Sequence, residues 1–142
     1  MNHGEAFDQY RAFLEGLTPD QLPELGKYVT RDVRFSDPFH DIVGVVEMGA
    51  VFYRLFDQVD DVAFTVLDHG TDGNSHWFFR WELIGKLGEK NWKVEGVTHL
   101  TFSSDGKVMS HREFWDAASQ LYERFPIIGP LLRFCRRRIA GQ

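Results

Sequence analysis

Asp37 is the first residue whose position could support chemistry. It follows the alternating residues Val33 and Phe35, which predict a short strand, and it precedes Pro38. A carboxylate in an apolar pocket is a stronger base than in water, so it can move a proton between two carbons beside a carbonyl group. The alternative is structural, because aspartate before proline commonly opens a β-turn by accepting bonds from the local backbone.

His111 and Glu113 form a second candidate pair. They alternate with Trp115 in a segment that reads as a strand, so all three side chains point to the same face of the sheet. An imidazole can donate a hydrogen bond to a developing charge, and a carboxylate can serve as a second acid or base. The alternative is an ion pair with arginine on the outer face, and strand parity decides between the two.

Metal and cofactor motifs are not predicted. The six histidines include no closely spaced pair, and the chain has no nucleophile elbow, phosphate-binding loop or dinucleotide fingerprint. Asp37, His40 and Asp41 could chelate a metal in principle, but a solvated turn is the commoner structure for such a run. Cys135, the single cysteine, has no neighbouring base and is predicted to be a packed core thiol.

Helices are predicted in the first 60 residues. Apolar residues recur at three- and four-residue steps over residues 5–17 and 45–59. Between them, Thr18-Pro19-Asp20-Gln21 has the pattern of a capping box, which predicts a short second helix that Gly26 ends.

Strands are predicted at residues 33–36, 62–67, 77–84, 92–102 and 107–115. The last four are separated by turn-forming segments at 72–74, 85–91 and 103–106. Consecutive hairpins of this kind predict an antiparallel sheet. Helices on one side of a long, curled sheet indicate an α+β fold with a cone-shaped cavity, and concave apolar cavities are common sites for small ligands.

The C-terminal region is predicted to be a helical extension. Asp116 can cap a helix that reaches Glu123, and Pro126 with Gly129-Pro130 separates it from a last helix at 131–139. One side of that helix is apolar and the other is basic, which fits contact with anionic lipid or a partner; the alternative is docking of the apolar side on its own domain. The apolar side contains Leu131, Leu132, Phe134, Cys135 and Ile139, and the basic side contains Arg133, Arg136 and Arg137.

Length and net charge limit the domain organisation and the kinds of partner that the protein could have. A chain of 142 residues fits one domain, 1–142, with 116–142 as its extension, and its aromatic content of 15% suits a ring-lined pocket. The net charge of −5, with arginines concentrated at the C-terminal end, argues against general nucleic-acid binding. With no signal-peptide pattern and no long apolar stretch, we expect a cytoplasmic protein.

Three segments carry a family resemblance. They are Val33-Arg34-Phe35-Ser36-Asp37-Pro38 followed by Gly44, the Phe79-Arg80-Trp81-Glu82 strand, and Leu100-Thr101-Phe102 through Asp105-Gly106 to Phe114-Trp115. In this order they resemble the nuclear-transport-factor-2-like superfamily, in particular its ketosteroid isomerase and SnoaL-like branch. The resemblance covers nearly the whole chain through Asp116, and it implies a cystatin-like cone of curved sheet packed against N-terminal helices.

The resemblance also implies roles for particular residues. Asp37 matches the isomerase general base, and Trp115 matches a tryptophan that faces the cavity, so His111 and Glu113 should face it as well. Residues placed on the cavity wall as substrate contacts are Tyr10, Phe13, Phe79, Trp81, Gly96, Thr98 and Trp115. Side chains alternate along the predicted strands 77–84 and 92–102, so those between the cavity residues should point away from the cavity. They are Arg80, Glu82, Val97 and His99.

The implied function is proton transfer on a small hydrophobic carbonyl compound, as in an isomerase, cyclase or dehydratase. The isomerase tyrosine and protonated aspartate that stabilise the enolate fall on Phe13 and Thr98, so His111, Glu113 or Tyr10 must replace them. The alternative is a non-catalytic protein that binds an apolar or acyl-type ligand. A homodimer through the outer sheet face is expected from the family.

Overall fold

A computed structural model describes residues 2–121 and 128–141 of the chain. The helices are α1 (His3–Glu15), a 3-10 helix (Pro19–Lys27), α2 (Val45–Gln58), α3 (Ala117–Gln120) and α4 (Ile128–Ala140). The strands are β1 (Val29–Ser36), β2 (Asp41–Val43), β3 (Asp60–Thr71), β4 (His76–Leu87), β5 (Lys90–Phe102) and β6 (Val108–Phe114).

The two long N-terminal helices follow the apolar periodicity of the sequence. The α1 helix is capped by Asn2, whose side-chain oxygen accepts from the backbone N–H of Glu5 at 2.8 Å. Its buried residues are Ala6, Phe7, Tyr10, Phe13 and Leu14. The α2 helix buries Met48, Val51 and Phe52 in the same way, so both predicted helices are confirmed.

The short second helix differs from its prediction. Residues Pro19–Lys27 form a 3-10 helix, which extends past Gly26, and Thr18 makes no side-chain cap. Pro23 inside the segment removes a backbone donor, which explains why a regular α-helix does not form.

The six strands form one sheet in the order β2-β1-β6-β5-β4-β3. The hairpins β3–β4, β4–β5 and β5–β6 are antiparallel, as predicted. One pair was not predicted from the hairpins: β1 pairs with β6 in parallel, so the mainly antiparallel sheet is mixed. This pair joins strands far apart in the chain, so no local turn signals its direction.

Two hairpin details also differ from the prediction. Residues 85–87 belong to β4, and the turn is confined to Gly88 and Glu89 rather than spanning 85–91. Asp41, predicted to lie in the turn after Asp37, begins the short strand β2, where it pairs with Ser36 of β1.

The predicted parity of the central strands is confirmed. Phe79 and Trp81 of β4 and Thr98 of β5 are buried, whereas Arg80 and Val97 are exposed. The inner face of the sheet and the N-terminal helices therefore enclose the core, and the outer face meets solvent.

At the C-terminal end, Asp116 caps α3 as predicted, accepting from the N–H of Ser119 at 3.2 Å. The predicted helix end at Glu123 and the break at Pro126 lie outside the described residues. Gly129 and Pro130 lie within the first turn of α4 instead of preceding it, where proline is tolerated because the first helical N–H groups have no intrahelical acceptor.

The predicted burial of the α4 apolar side is wrong. Leu131, Phe134 and Ile139 are exposed, and Cys135 is exposed rather than a core thiol. The helix lies beside α3, and Gly129 is its buried residue. Among the described helices, none combines the length and apolar character needed to cross a membrane.

Candidate functional site

A cavity of about 460 Å³ lies between α2 and the inner face of the curved sheet. Its wall is mainly aliphatic and aromatic, with contributions from α1, α2, five strands and Leu121. Apolar residues of the wall include Leu14, Phe35, Val51, Phe52, Leu55, Val59, Val62, Phe64, Trp81, Leu83, Trp92, Val94, Trp115 and Leu121. This volume accommodates a small organic ligand.

Polar residues line the cavity in two regions: Asp37, His40, His111 and Glu113 lie on or just after β1 and β6, and Glu15, Arg54 and Gln58 lie on α1 and α2. Asp37, His40, Glu113 and Trp115 line this cavity and also a second, wider concavity of about 990 Å³ on their other side. These residues therefore lie at the boundary of the two spaces.

Asp37 is held by three donors at the start of the turn. Its Oδ1 accepts from the backbone N–H groups of Phe39 and His40, both at 2.8 Å, and lies 2.9 Å from the His40 Nδ1. Its Oδ2 has one longer contact, 3.1 Å to the same nitrogen. Asp37 thus forms the turn and lines the cavity at once, because one carboxylate oxygen suffices for the turn.

The parallel pairing of β1 and β6 brings the two carboxylates together. Phe35 pairs with His111 and Ser36 pairs with Arg112, so the next residues along the two strands are Asp37 and Glu113. Parallel strands lie about 5 Å apart, so both carboxylates emerge at neighbouring positions on the inner face.

His111 lies at the centre of a buried chain of hydrogen bonds. The Tyr10 hydroxyl is 2.8 Å from its Nδ1, and Glu113 Oε1 is 3.0 Å from its Nε2. The imidazole is 1% exposed and packs among the rings of Phe35 and Phe52. Its burial excludes the alternative of an ion pair on the outer face of the sheet.

The hydrogen-bond partners assign the proton positions. A Glu113 carboxylate can only accept, so Nε2–H of His111 donates to it, and Nδ1 accepts from the Tyr10 hydroxyl. Burial, and to a lesser extent the charge of Glu113, raises the pKa of Tyr10 well above its usual value, so this hydroxyl keeps its proton. Both imidazole nitrogens therefore have a hydrogen-bond partner. Glu113 is the last residue of this series of hydrogen bonds, and it lines the cavity.

The position of Trp81 on the cavity wall depends on Gly96 and Thr98, the two residues of β5 that were predicted to line the cavity. Its indole N–H donates to the Thr98 hydroxyl at 2.9 Å, and its ring lies across Gly96, its cross-strand partner. A side chain on Gly96 would collide with this ring. Gly96 and Thr98 therefore position the indole instead of lining the cavity themselves.

Five predicted contact residues do not line the cavity. Phe13 stacks on Tyr28 with ring centroids 4.3 Å apart, and Phe79 packs against Phe7 at 5.9 Å. Tyr10 is also buried outside the lining, and Gly96 and Thr98 lie beneath the Trp81 indole. Of the predicted site residues, Asp37, His111, Glu113, Trp81 and Trp115 line the cavity.

Two features of the site were missed in the sequence. The first is the pairing of His40 with Asp37: the sequence pattern suggests only a metal-ligand role for His40, although a histidine three residues after an Asx-turn aspartate is well placed to pair with it. The second feature is α3, which is tied to β5 by Gln120: its carbonyl accepts from the Trp92 indole at 2.7 Å and its side chain pairs with the Glu95 backbone. Within residues 2–121 and 128–141, no cluster of three or more metal-ligating side chains occurs.

Comparisons with known proteins agree with this architecture. The SnoaL-like domain model matches residues 10–111. An LEH-like epoxide hydrolase structure from M. tuberculosis is 16% identical, with a TM-score of 0.69, covering 99% of this chain and 98% of its own. A hypothetical protein with a ketosteroid isomerase-like fold from Catenulispora acidiphila DSM 44928, solved with trimethylamine, is 17% identical, with a TM-score of 0.69, covering 82% and 89%.

A SnoaL-like polyketide cyclase from Agrobacterium tumefaciens str. C58 is also similar, at 15% identity and a TM-score of 0.65, covering 82% of this chain and 92% of its own. At these identities the structural likeness extends to the fold alone. Comparison of the sequence with curated proteins gave no match.

Proposed function

Because the chain belongs to the SnoaL-like domain family, we propose that it catalyses proton transfer on a small hydrophobic carbonyl compound bound in the 460 Å³ cavity. The observation that carries the proposal is that Asp37 and Glu113, at neighbouring positions at the ends of β1 and β6, both line a cavity whose wall is mainly apolar. Two carboxylates held differently can take opposite roles, one as base and the other as acid.

Asp37 is the proposed base. Its Oδ1 is occupied by three donors, whereas Oδ2 has only the longer His40 contact, so Oδ2 is the oxygen that takes the proton from carbon. Fixing one oxygen in the turn orients the other toward the substrate without further ordering on binding.

Glu113 is the proposed acid. Both nitrogens of His111 are engaged, so the group proposed to donate to the substrate carbonyl is the Glu113 carboxyl. This role requires that Glu113 bind a proton on Oε2 before the reaction, while Oε1 continues to accept from His111. In the reaction Asp37 removes a proton next to the carbonyl while Glu113 donates one to the carbonyl oxygen, which gives an enol. Return of the enol proton to Glu113 and of the Asp37 proton to a different carbon completes an isomerisation. Tyr10 and His111 act as positioning residues for Glu113.

The test measures hydrogen exchange next to a carbonyl, so it needs no knowledge of the natural substrate. The purified protein is incubated in D₂O with a panel of small cyclic ketones and aromatic 1,3-dicarbonyl compounds, and loss of the α-proton signal is followed by NMR. Because one neighbour is an epoxide hydrolase, the panel includes a hydrophobic epoxide, toward which either carboxylate could activate water.

Asp37→Asn is the decisive variant. The amide oxygen still accepts the two backbone N–H bonds, so the turn should persist while the base is lost, and we expect exchange to slow by about 100-fold or more. Glu113→Gln should also slow it. Asp41→Asn is the matched control, because this carboxylate is in the next segment, pairs with Arg34 and does not line the cavity. Exchange that the wild type accelerates and Asp37→Asn leaves unchanged would eliminate this mechanism.

A second candidate function is binding of an apolar or acyl-type ligand without chemistry. The observation that favours it is the absence of enolate donors at the two positions that the family resemblance indicates: Phe13 packs on Tyr28, and the Thr98 hydroxyl is bonded to Trp81. Native mass spectrometry of the gently purified protein would detect a retained ligand. Leu55→Trp, which fills the cavity, should release that ligand, and Leu67→Trp, an exposed position outside the cavity, should retain it.

A further inference from the structure

The outer surface of α4 combines an exposed apolar strip with flanking arginines. At 100° per residue, five residues share one side of the helix within an arc of about 100°. They are Ile128, Leu131, Leu132, Cys135 and Ile139. Leu131 is 61% exposed and Ile139 is 89% exposed, so the described part of the protein leaves this strip largely uncovered.

Charge indicates what could cover the strip. On the helical projection, Arg136 and Arg138 border its two sides, and Arg133 and Arg137 lie on the opposite face. The helix contains no acidic residue, although the whole chain has a net charge of −5. A cationic helix on an acidic body is attracted to an anionic surface while the rest of the molecule is repelled from it, which orients the helix toward that surface.

From these observations we propose that α4 binds the surface of an anionic lipid membrane. The helix would lie in the plane of the interface, with its apolar strip among the acyl chains nearest the headgroups. The two bordering arginines have long alkyl stems that can follow the strip and place their guanidinium groups at lipid phosphates. This interaction is independent of the cavity and of any reaction within it.

The first test is sedimentation of the full chain with vesicles. Vesicles of phosphatidylcholine alone are compared with vesicles of phosphatidylcholine containing phosphatidylglycerol. We expect binding to the anionic vesicles, weak binding to the neutral ones, and loss of binding as salt is raised. Equal binding to both, or to neither, would overturn the proposal.

Two paired variants separate the charge from the apolar strip. Arg136→Gln with Arg138→Gln, which removes the two arginines that border the strip, should weaken partitioning by roughly fivefold for each arginine. The matched control is Arg31→Gln with Lys90→Gln, two exposed basic residues elsewhere. Leu131→Ser with Ile139→Ser should weaken partitioning by on the order of tenfold or more, and Val46→Ser, 78% exposed on α2, serves as its control.

A spectroscopic readout avoids dependence on the variants. Cys135 is the only cysteine, it is exposed, and it lies on the apolar strip, so an environment-sensitive fluorophore can be attached there. Its emission should shift to the blue with anionic vesicles and stay constant with neutral ones; no shift with either would contradict insertion. Light scattering tests whether a second copy of the chain covers the strip instead of lipid. If the wild type is a dimer and Leu131→Ser with Ile139→Ser makes it a monomer, the strip is a dimer contact and the membrane proposal is overturned.

Discussion

Replacement of Gly96 by alanine tests the packing that holds the tryptophan wall of the cavity. A Cβ at this position would lie 2.9 Å from Cε2 of Trp81 and 2.9 Å from the backbone oxygen of Phe114, and it would also collide with the outer edge of the indole. One obstacle is a ring fixed by the Thr98 hydroxyl, and the other is the backbone of β6, so neither can move cheaply.

Overpacking of this kind costs about 2 kcal/mol of unfolding free energy, which corresponds to a decrease of about 8 °C in Tm for a domain of this size. Gly70→Ala is the matched control. It also lies in a strand, but a Cβ there meets nothing within 4 Å, and alanine reduces the entropy of the unfolded chain. We therefore expect Gly70→Ala to be neutral or slightly stabilising.

The assay is thermal unfolding followed by far-ultraviolet circular dichroism, with the near-ultraviolet spectrum reporting the indole environment. Gly96→Ala should lower the Tm and change the near-ultraviolet signal, whereas Gly70→Ala should change neither. A Gly96→Ala protein as stable as the Gly70→Ala protein would mean that the ring does not lie across Gly96, and the account of the wall would fail.

Three further predictions concern the buried chain, the pH dependence and the outer face of the sheet. Tyr10→Phe should cost about 1–3 kcal/mol in chemical denaturation because it leaves the buried His111 Nδ1 without its donor, whereas the exposed Tyr53→Phe should cost almost nothing. Burial, and then the neighbouring His76, lowers the pKa of His99, so the unfolded chain takes up this proton more readily than the folded one. Stability should therefore decrease as pH falls below about 6.5, and His99→Gln should flatten that part of a plot of Tm against pH; an unchanged slope would count against it. We also predict a homodimer through the outer sheet face, where Phe78 is 43% exposed; Phe78→Asp should halve the mass measured by light scattering, and an unchanged mass would place the contact elsewhere.

Local patterns in the sequence were sufficient to predict much of the architecture. The apolar periods of α1 and α2 and the alternation along β4, β5 and β6 depend only on which residues must be buried, so they could be recognised without knowledge of the fold. Combined with the family resemblance, which placed Trp115 in the cavity, the same alternation predicted that His111 faces the interior, where it is buried. The family resemblance was carried by short motifs in these same elements, and the match over residues 10–111 confirms it.

The arrangement of the site depended on contacts between distant parts of the chain. The 2.8 Å bond from Tyr10 to His111 joins residues 101 positions apart, and the parallel pairing that places Asp37 beside Glu113 has no turn to indicate it. Strand alternation predicts which side chains point inward, but contacts such as Phe13 with Tyr28 and Thr98 with Trp81 decide which of them border the cavity. For that reason Phe13 and Thr98 were correctly predicted to face inward and yet lie behind the cavity wall.

The C-terminal helix shows the same division. Its sequence determined an amphipathic helix with an apolar strip and a basic side, because helical periodicity is local. Only the tertiary structure could show whether the rest of the chain covers the strip. Leu131 and Ile139 are exposed, so the strip is not docked on its own domain. Burial requires a partner surface, and no local pattern in a sequence specifies where that surface will be.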